Sequence, residues 1–280
     1  MGVLVAELMT PCPLAVHPRA RLSMVESALD GTPWRHLLVM ANDRVVGFIA
    51  ARDLARAPPP DLTGAARHVW LRRAVAADIM SAPVLTVGSS DPVESAAALL
   101  HENMFSCLPV VDGTWPVGLL TTSDYLRHAI QLLSEEDDRE TAYLNVARLM
   151  TRSPMVIVGP ADDLAVADAV MRRAHVHHVP VLDGTHLVGI LSDHDVFAGL
   201  AGQAPFAGDQ HDVAVRDFMT AFPVTITADE EAAYAAAILL AHHIGALPVM
   251  ARQTLVGIVT ERDFLTYCLR ATGHDGLRRA

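Results

Sequence analysis

The chain contains no lysine. All 21 basic residues are arginine, and 32 acidic residues bring the formal net charge to −11 at pH 7. This acidic balance, with no run of basic residues, argues against nucleic acid as the main partner. It leaves the binding of a small anion open, because that needs only a few local donors.

Cysteines and long apolar runs are also scarce. Cys12, Cys107 and Cys268 lie far apart, without the spacing of a metal site or a disulfide framework, which predicts a reducing, cytoplasmic location. The longest apolar run, 232–241, ends at two histidines and is too short to cross a bilayer. The first residues lack a basic region and a cleavage site, so we expect neither a secretory signal nor a membrane span.

Catalytic motifs are missing as well. The chain has no Gly-x-Ser-x-Gly elbow, no phosphate-binding Walker loop and no His-Glu-x-x-His, so we expect no enzyme and no catalytic residue. Histidines do concentrate in one region, at positions His175, His177, His178, His186 and His194. No carboxylate or cysteine stands at a consistent ligand offset from them, so we expect no metal site.

What the chain does contain is one block of about 70 residues, present four times. Each copy ends in glycine, two apolar residues, a position that is Ser or Thr in three copies, two variable residues and aspartate. The four endings are Gly47–Asp53, Gly118–Asp124, Gly189–Asp195 and Gly257–Asp263. A repeat of this period decides the architecture before any local pattern does.

Two further anchors keep the copies in register. Each copy opens on a methionine, at Met9, Met80, Met150 and Met219. Nine residues before each glycine stands Pro109, Pro180 or Pro248, each followed by valine, with Leu38 at that place in the first copy. Agreement at so many fixed offsets indicates four copies of one structural unit.

These elements together resemble the CBS domain family over nearly the whole chain. We place repeat 1 at 1–57, repeat 2 at 70–134, repeat 3 at 141–200 and repeat 4 at 212–271. The resemblance implies an α/β (α+β) fold of four β-α-β-β-α repeats, paired into two Bateman modules. One repeat cannot cover its own apolar faces, so the pair is the expected folding unit.

Repeat 2 shows the local pattern best. Val84–Val87 predicts a strand. Asp91 and Pro92 then predict a helix, with the aspartate as N-cap and the proline at the first helical position. The apolar stripe of that helix is Val93, Ala96, Ala97 and Leu100. Three segments connect the repeats. The prolines 58–60 are expected to end the last helix of repeat 1, 134–140 is an acidic, solvated stretch between the modules, and 199–212 predicts a loop.

In the CBS family the terminal aspartate accepts hydrogen bonds from both ribose hydroxyls, and the Ser/Thr faces ribose or phosphate. The resemblance therefore implies nucleotide-binding residues, which are Thr260, Arg262 and Asp263; Thr121, Ser123 and Asp124; Ser192 and Asp195; and Asp53. The two acceptor oxygens of a carboxylate can accept hydrogen bonds from two vicinal hydroxyls of a ribose. The free N–H groups at the start of a helix favour the binding of a phosphate. The alternative is a purely local role, in which the hydroxyl and the aspartate cap the helix.

The copies are not equal. Repeats 2 and 4 keep the full pattern and are expected to bind best, whereas Asp193 adds a second carboxylate to repeat 3, which His194 offsets if protonated. Repeat 1 has Ala50 in place of the hydroxyl, but keeps Arg52 and Asp53. We expect the repeated glycines to allow close packing against a neighbour, and the repeated methionines to lie in the core.

The function implied by the resemblance is regulatory. We expect a sensor that binds an adenosine-containing ligand, such as AMP, ADP or ATP, and passes the signal to a regulated protein that the sequence does not identify. No cofactor is required, and a homo-oligomer is left open. The alternatives are a sensor of S-adenosylmethionine or a dinucleotide, a ligand-free assembly scaffold and, last, an enzyme acting on the nucleotide.

Overall fold

The structure is a computed structural model that describes residues 2–11, 13–30, 36–59, 62, 64–135, 144–152, 155–200 and 213–271. Repeat 1 consists of α1 Val5–Leu8, β1 Thr10–Pro11, β2 Ala15–Val16, α2 Leu22–Asp30, β3 His36–Ala41, β4 Arg44–Ala50 and α3 Ala51–Arg56. A connecting helix, α4 Gly64–Arg73, follows. Repeat 2 consists of a 3-10 turn Ala76–Asp78, β5 Val87–Gly88, α5 Val93–Glu102, β6 Cys107–Asp112, β7 Trp115–Thr121 and α6 Thr122–Glu135.

The second half repeats this order. Repeat 3 consists of α7 Val146–Leu149, β8 Thr151–Arg152, α8 Leu164–Ala174, β9 His178–Asp183, β10 His186–Ser192 and α9 Asp193–Leu200. Its first strand is reduced to one bridge, Val158 to Val181. Repeat 4 consists of a 3-10 turn Val215–Asp217, β11 Thr220–Ala221, β12 Ile226–Thr227, α10 Ala232–His242, β13 Ala246–Ala251, β14 Thr254–Thr260 and α11 Glu261–Ala271. The mixed α/β class and the four repeats are confirmed.

Repeats pair by exchanging their opening strands. β1 of repeat 1 pairs antiparallel with β7 of repeat 2, and Ser81 of repeat 2 bridges back to Phe48 of repeat 1. In the same way β8 of repeat 3 pairs with β14, and β11 of repeat 4 pairs with β10. Each sheet is therefore completed by its neighbour, which makes repeats 1 and 2 the first module and repeats 3 and 4 the second.

The recurring methionine and glycine meet in this exchange. A Cβ atom added to the glycine would come closer than 3.0 Å to the methionine side chain of the partner repeat. The four pairs are Gly47 with Met80, Gly118 with Met9, Gly189 with Met219 and Gly257 with Met150. The prediction that these glycines allow close packing is confirmed. Of these four recurring methionines only Met150 is buried, as predicted; the other three are half-buried and pack against the edges of the cores.

The hydrophobic cores do not follow the modules. Repeats 2 and 4 share one large core, which includes Leu100, Leu126, Leu239 and Phe264. Repeats 1 and 3 each have a separate core, centred on residues such as Leu37 and Val179. We call the contact of α5 and α6 with α10 and α11 the 2–4 interface, and the contact of α3 with α9 the 1–3 interface.

Two local predictions for repeat 2 need correction. The strand expected at 84–87 is formed only by Val87 and Gly88. Asp91 is not the N-cap of α5: Pro92 holds that place, and Asp91 accepts a hydrogen bond from the N–H of Gly88 at 2.7 Å. The predicted apolar stripe of α5 is buried as expected.

The segments between repeats are partly helical. Helix α3 ends at Arg56, before the prolines, as predicted, but α4 was not predicted. The inward face of α4 carries Arg67, which is 7% exposed and paired with Glu26 at 2.8 Å. Because a charged residue stands on the buried face, the sequence lacks the apolar periodicity that would predict this helix. Residues 134–135, expected in the solvated stretch, and residues 199–200, expected in a loop, end helices α6 and α9. The rest of those two segments lies outside the described residues.

The described part of the chain has no helix that is both long and apolar enough to cross a membrane.

Candidate functional site

The candidate site is the point where the second strand of each hairpin passes directly into a helix. In all four repeats the aspartate of the motif accepts a hydrogen bond from the backbone N–H three residues earlier, at 2.7–2.9 Å. The acceptors are Asp53, Asp124, Asp195 and Asp263. This bond satisfies one of the free donors of the helix start. The capping role that the sequence allowed is therefore realised in every repeat.

The hydroxyl of the motif adds a second bond in three repeats. Thr121, Ser192 and Thr260 donate to the same carboxylate oxygen at 2.6–2.8 Å. Ala50 has no hydroxyl, so repeat 1 has only the backbone bond. In each case one oxygen of the aspartate holds the helix start, and the other oxygen takes no part in this cap.

That second oxygen differs between repeats. Asp124 is 1% exposed, and its Oδ1 accepts a hydrogen bond from Arg127 at 2.9 Å, so both of its oxygens are engaged. Asp263 is half-buried, and no contact between its Oδ1 and a side chain is recorded within the described residues. Burial raises the pKa of Asp263 to about 6, although the bonds from Thr260 act in the opposite direction. Repeat 4 thus offers a more accessible carboxylate than repeat 2.

Several of the variable residues between the hydroxyl and the aspartate lie at the contact between modules. At the 2–4 interface, Thr122 Oγ1 donates to Glu261 Oε2 and Ser123 Oγ donates to Glu261 Oε1, both at 2.7 Å. Thr122 is buried. Ser123, predicted to contact a nucleotide, therefore bonds a carboxylate of the other module.

Arg262, predicted to reach a phosphate, also crosses the 2–4 interface. Its Nη2 donates to the carbonyl oxygens of Leu100 and His101, at 3.3 and 3.1 Å. These carbonyls belong to the last turn of α5, where a cation is favourable. Burial and the charge of Arg262 lower the pKa of His101, which favours the neutral imidazole beside the guanidinium.

The 1–3 interface has an ionic contact instead. Arg52 lies 3.9 Å from the carboxylate of Asp193, and His177 Nδ1 lies 3.0 Å from the same oxygen. Burial acts to raise the pKa of Asp193, but the hydrogen bond and charge of His177 and the charges of His178 and Arg52 outweigh it, so the pKa is lowered. The exposed His194 is not part of this contact.

Within each module, the residues before the Pro-Val turn lie near the partner repeat. The clearest case is His178, whose ring is so close to Gly245 that a Cβ atom there would lie within 3.0 Å of it. The run His175 to His178 falls where α8 ends and β9 begins, as expected from the sequence. His242 and His243 are exposed at the end of α10.

A surface groove of about 300 Å³ lies elsewhere in repeat 4. Its lining residues are Val224, Thr225, Ile226, Thr227, Glu230, Tyr234, Ile238 and His242. None of them belongs to a helix start with the hydroxyl-aspartate pattern, so this groove is distinct from the candidate site.

The residues that sequence reasoning missed are Thr122 and Glu261. They occupy variable positions, and their partners lie about 140 residues away in the chain. The only available signal was that these positions differ between repeats: Ala-Arg, Thr-Ser, Asp-His and Glu-Arg. A difference inside an otherwise regular repeat indicates a contact that the repeat itself does not make.

Comparison with known proteins gives a consistent result. The CBS domain model matches four segments, 5–59, 75–131, 146–202 and 215–270. The uncharacterized protein MJ1225 of Methanocaldococcus jannaschii is 24% identical over 277 residues, covering 91% of this chain and 94% of that protein. An uncharacterized 33.4 kDa protein of Thermofilum pendens, from a ribosomal RNA operon, is 28% identical over 285 residues, covering 93% and 90%.

Solved structures show the same fold. The crystal structure of MJ1225 superposes with a TM-score of 0.76 at 22% identity, over 95% of this chain and all of that one. A conserved uncharacterized protein from Pyrococcus horikoshii superposes with a TM-score of 0.63 at 20% identity, over 95% of this chain and 99% of that one. Both likenesses extend across all four repeats.

Proposed function

The chain belongs to the CBS domain family, and from that premise we propose that it is a regulatory sensor of adenosine-containing ligands. The observation that carries the proposal is the recurrence, at four strand-to-helix transitions, of an aspartate that uses one carboxylate oxygen as a cap. Where its other oxygen is not taken by the protein, the same side chain can accept a ribose hydroxyl.

Repeat 4 is the first candidate for occupancy. Thr260 and Asp263 are pre-organised by their mutual hydrogen bonds, and Asp263 is half-buried. A ribose would bring hydroxyl donors to a carboxylate that burial has made costly to ionise, so binding relieves part of that cost. Arg262 would reach a phosphate only by leaving the carbonyls of α5.

The other repeats follow in order of access. Ser192 with Asp195, and Asp53, carry half-buried aspartates. Thr121, Ser123 and Asp124 form the third group, in which the ligand must displace Arg127 from Asp124 and Glu261 from Ser123. We therefore revise the order expected from the sequence, and place repeat 2 behind the other three repeats.

The mechanism that follows is a shift between conformations. A ligand bound between paired repeats favours the arrangement in which both repeats contact it, and it can do so only by its difference in affinity for the two arrangements. The signal would pass to a regulated protein through the module surface. We propose no catalysis and no cofactor. The motif hydroxyls of the described candidate site, at Thr121, Ser192 and Thr260, donate to an aspartate oxygen that also caps the helix start, which is a structural role.

A ligand-free scaffold is the second candidate. It is favoured by the shared core of repeats 2 and 4 and by the fact that the aspartate caps are satisfied without any ligand. Such a protein would hold a fixed shape, and its stability would not respond to small molecules.

Thermal unfolding with added adenosine, AMP, ADP, ATP or S-adenosylmethionine separates the two functions. A sensor gains about 2.7 kcal/mol at a hundredfold excess of ligand over its dissociation constant, which raises the melting temperature in a dose-dependent way. The Asp263→Ala variant should lose at least tenfold in affinity by calorimetry, whereas Asp229→Ala, at an exposed aspartate of the same repeat, should not. Melting curves unmoved by all five compounds would favour the scaffold.

A further inference from the structure

The start of helix α6 already holds a negative charge that belongs to the protein. Both carboxylate oxygens of Glu261 accept hydrogen bonds, from Thr122 Oγ1 and Ser123 Oγ, at 2.7 Å each. Thr122 and Ser123 are the first two residues of this 14-residue helix. The carboxylate therefore stands where the dipole and the free N–H groups of a helix start favour an anion.

Glu261 serves a second helix at the same time. It is the first residue of α11, two positions before Asp263. Helices α6 and α11 pack against each other, so one carboxylate lies where the two helix starts meet. A phosphate group arriving from the candidate site of repeat 2 or of repeat 4 would meet this charge.

The arginines near the starts of these helices do not offset it. Arg262 is bound to the carbonyl oxygens of Leu100 and His101, and Arg127 is paired with Asp124. The equivalent of Glu261 in repeat 3 is Asp193, which has His177 at 3.0 Å and Arg52 at 3.9 Å as cationic partners. At the 2–4 interface the partners of the carboxylate are neutral hydroxyls, so its charge is not balanced in the same way.

We propose that Glu261 determines the ligand class of the 2–4 side, admitting the adenosine moiety and excluding a 5′-phosphate. The preferred ligand is then an adenosine derivative whose 5′ substituent is neutral or cationic. The inference rests on the proposed function, because it concerns the same sites. It adds a specificity residue that lies outside the hydroxyl-aspartate pattern.

Calorimetry on the full chain with two probes, adenosine and AMP, tests this. Wild-type protein should bind adenosine at least tenfold more tightly than AMP on the 2–4 side. In Glu261→Gln, which keeps an oxygen acceptor but removes the charge, AMP affinity should rise at least tenfold while adenosine affinity changes less than twofold. Adding Asp263→Ala to Glu261→Gln should abolish the gain, which assigns it to this side of the molecule.

Glu231→Gln is the matched control, because it removes the same charge from an exposed position in repeat 4. An equal gain for AMP in this control, or an unchanged ratio of the two ligands in Glu261→Gln, would overturn the inference while leaving the proposed function intact. Wild-type protein that binds neither probe would overturn the inference, and the proposed function would fall only if ADP, ATP and S-adenosylmethionine also left the melting temperature unchanged. Should Glu261→Gln fail to fold, the wild-type ratio decides, and AMP bound as tightly as adenosine would overturn the inference.

Discussion

At the 2–4 interface, helices α5, α6, α10 and α11 share one hydrophobic core, whereas at the 1–3 interface α3 and α9 touch while the cores of repeats 1 and 3 stay separate. The polar contacts are also closer at the 2–4 interface than at the 1–3 interface. Glu261 is held by two hydroxyls at 2.7 Å, and Asp193 is held by His177 and by the more distant Arg52.

Both interfaces use the same positions of the repeat. Residues one or two places after the hydroxyl position meet across the modules in both cases, so the fold places them but does not decide how strongly they bind. A buried hydroxyl-carboxylate contact and a shared core hold one side together, whereas a partly exposed ion pair contributes little. We infer that the modules are joined mainly through repeats 2 and 4.

The largest expected effect comes from removing a side chain of the shared core. Phe264 is fully buried, so Phe264→Ala should cost about 3–5 kcal/mol of unfolding free energy, from lost burial and the cavity left behind. Because this core spans both modules, amide protection in hydrogen exchange should fall in repeats 2 and 4 together.

Leu54→Ala is the matched change on the other side, at the equivalent position of repeat 1, where the side chain is 5% exposed. It should cost about 2 kcal/mol, at the low end for such substitutions. Its loss of protection should stay within the core of repeat 1. If the loss of amide protection extended over both modules in Leu54→Ala as it does in Phe264→Ala, the two interfaces would not differ as described.

The polar contacts give the next effect. Glu261→Ala leaves the hydroxyls of Thr122 and Ser123 without their acceptor at the 2–4 interface, which should cost about 1–3 kcal/mol. Asp193→Ala removes a partly exposed partner at the 1–3 interface and should cost less than about 1 kcal/mol. Urea unfolding of both variants measures the difference, and similar midpoints would show that the two contacts are equivalent.

Folding stability should depend on pH in opposite directions at Asp263, on the 2–4 side, and at Asp193, on the 1–3 side. The pKa of Asp263 is raised from its ordinary 3.8 to about 6 by burial, so the stability from this group is present below pH 3.8 and is lost as the pH rises through about 6. The pKa of Asp193 is lowered, so its contribution is present above pH 3.8 and is lost as the pH falls through its folded value.

Melting temperatures between pH 3 and pH 8 check this. In Asp263→Asn, the loss of folding stability between about pH 4 and pH 6 should be smaller than in the wild type. The difference should be on the order of 1 kcal/mol, because solvent screens the charge. Asp193→Asn should flatten only the acid end, below about pH 4. A wild-type curve that neither substitution alters would show that both carboxylates titrate as in the unfolded chain.

The smallest effect is expected at Arg52. Its ion pair with Asp193 is 3.9 Å long and 35% exposed on the arginine side, so Arg52→Ala should change stability by about 0–1 kcal/mol, and less at high salt. Arg262 occupies the same position in repeat 4, and Arg262→Ala should cost more because two carbonyls of α5 lose their donor. A larger loss at Arg52 would reverse the comparison.

Some of the site was predictable from local pattern. The hydroxyl and aspartate are three residues apart, so their capping bond depends on the helix start alone, and it forms in every repeat that has the residues. The apolar stripe of α5 was predictable for the same reason. Helix α4 was not, since its inward face carries Arg67, whose burial depends on Glu26 far back in the chain.

The four repeats and the motif that pairs them can be read from the amino-acid sequence, because a methionine that packs on a glycine is needed wherever one repeat completes the sheet of the next. The contacts of Ser123, Arg262 and Glu261 follow instead from the way the modules pack. Their partners come from the other module, and the geometry that joins them is set by the packing of α6 on α11. Local periodicity reports which face of a helix is buried, but it does not report which distant surface buries it.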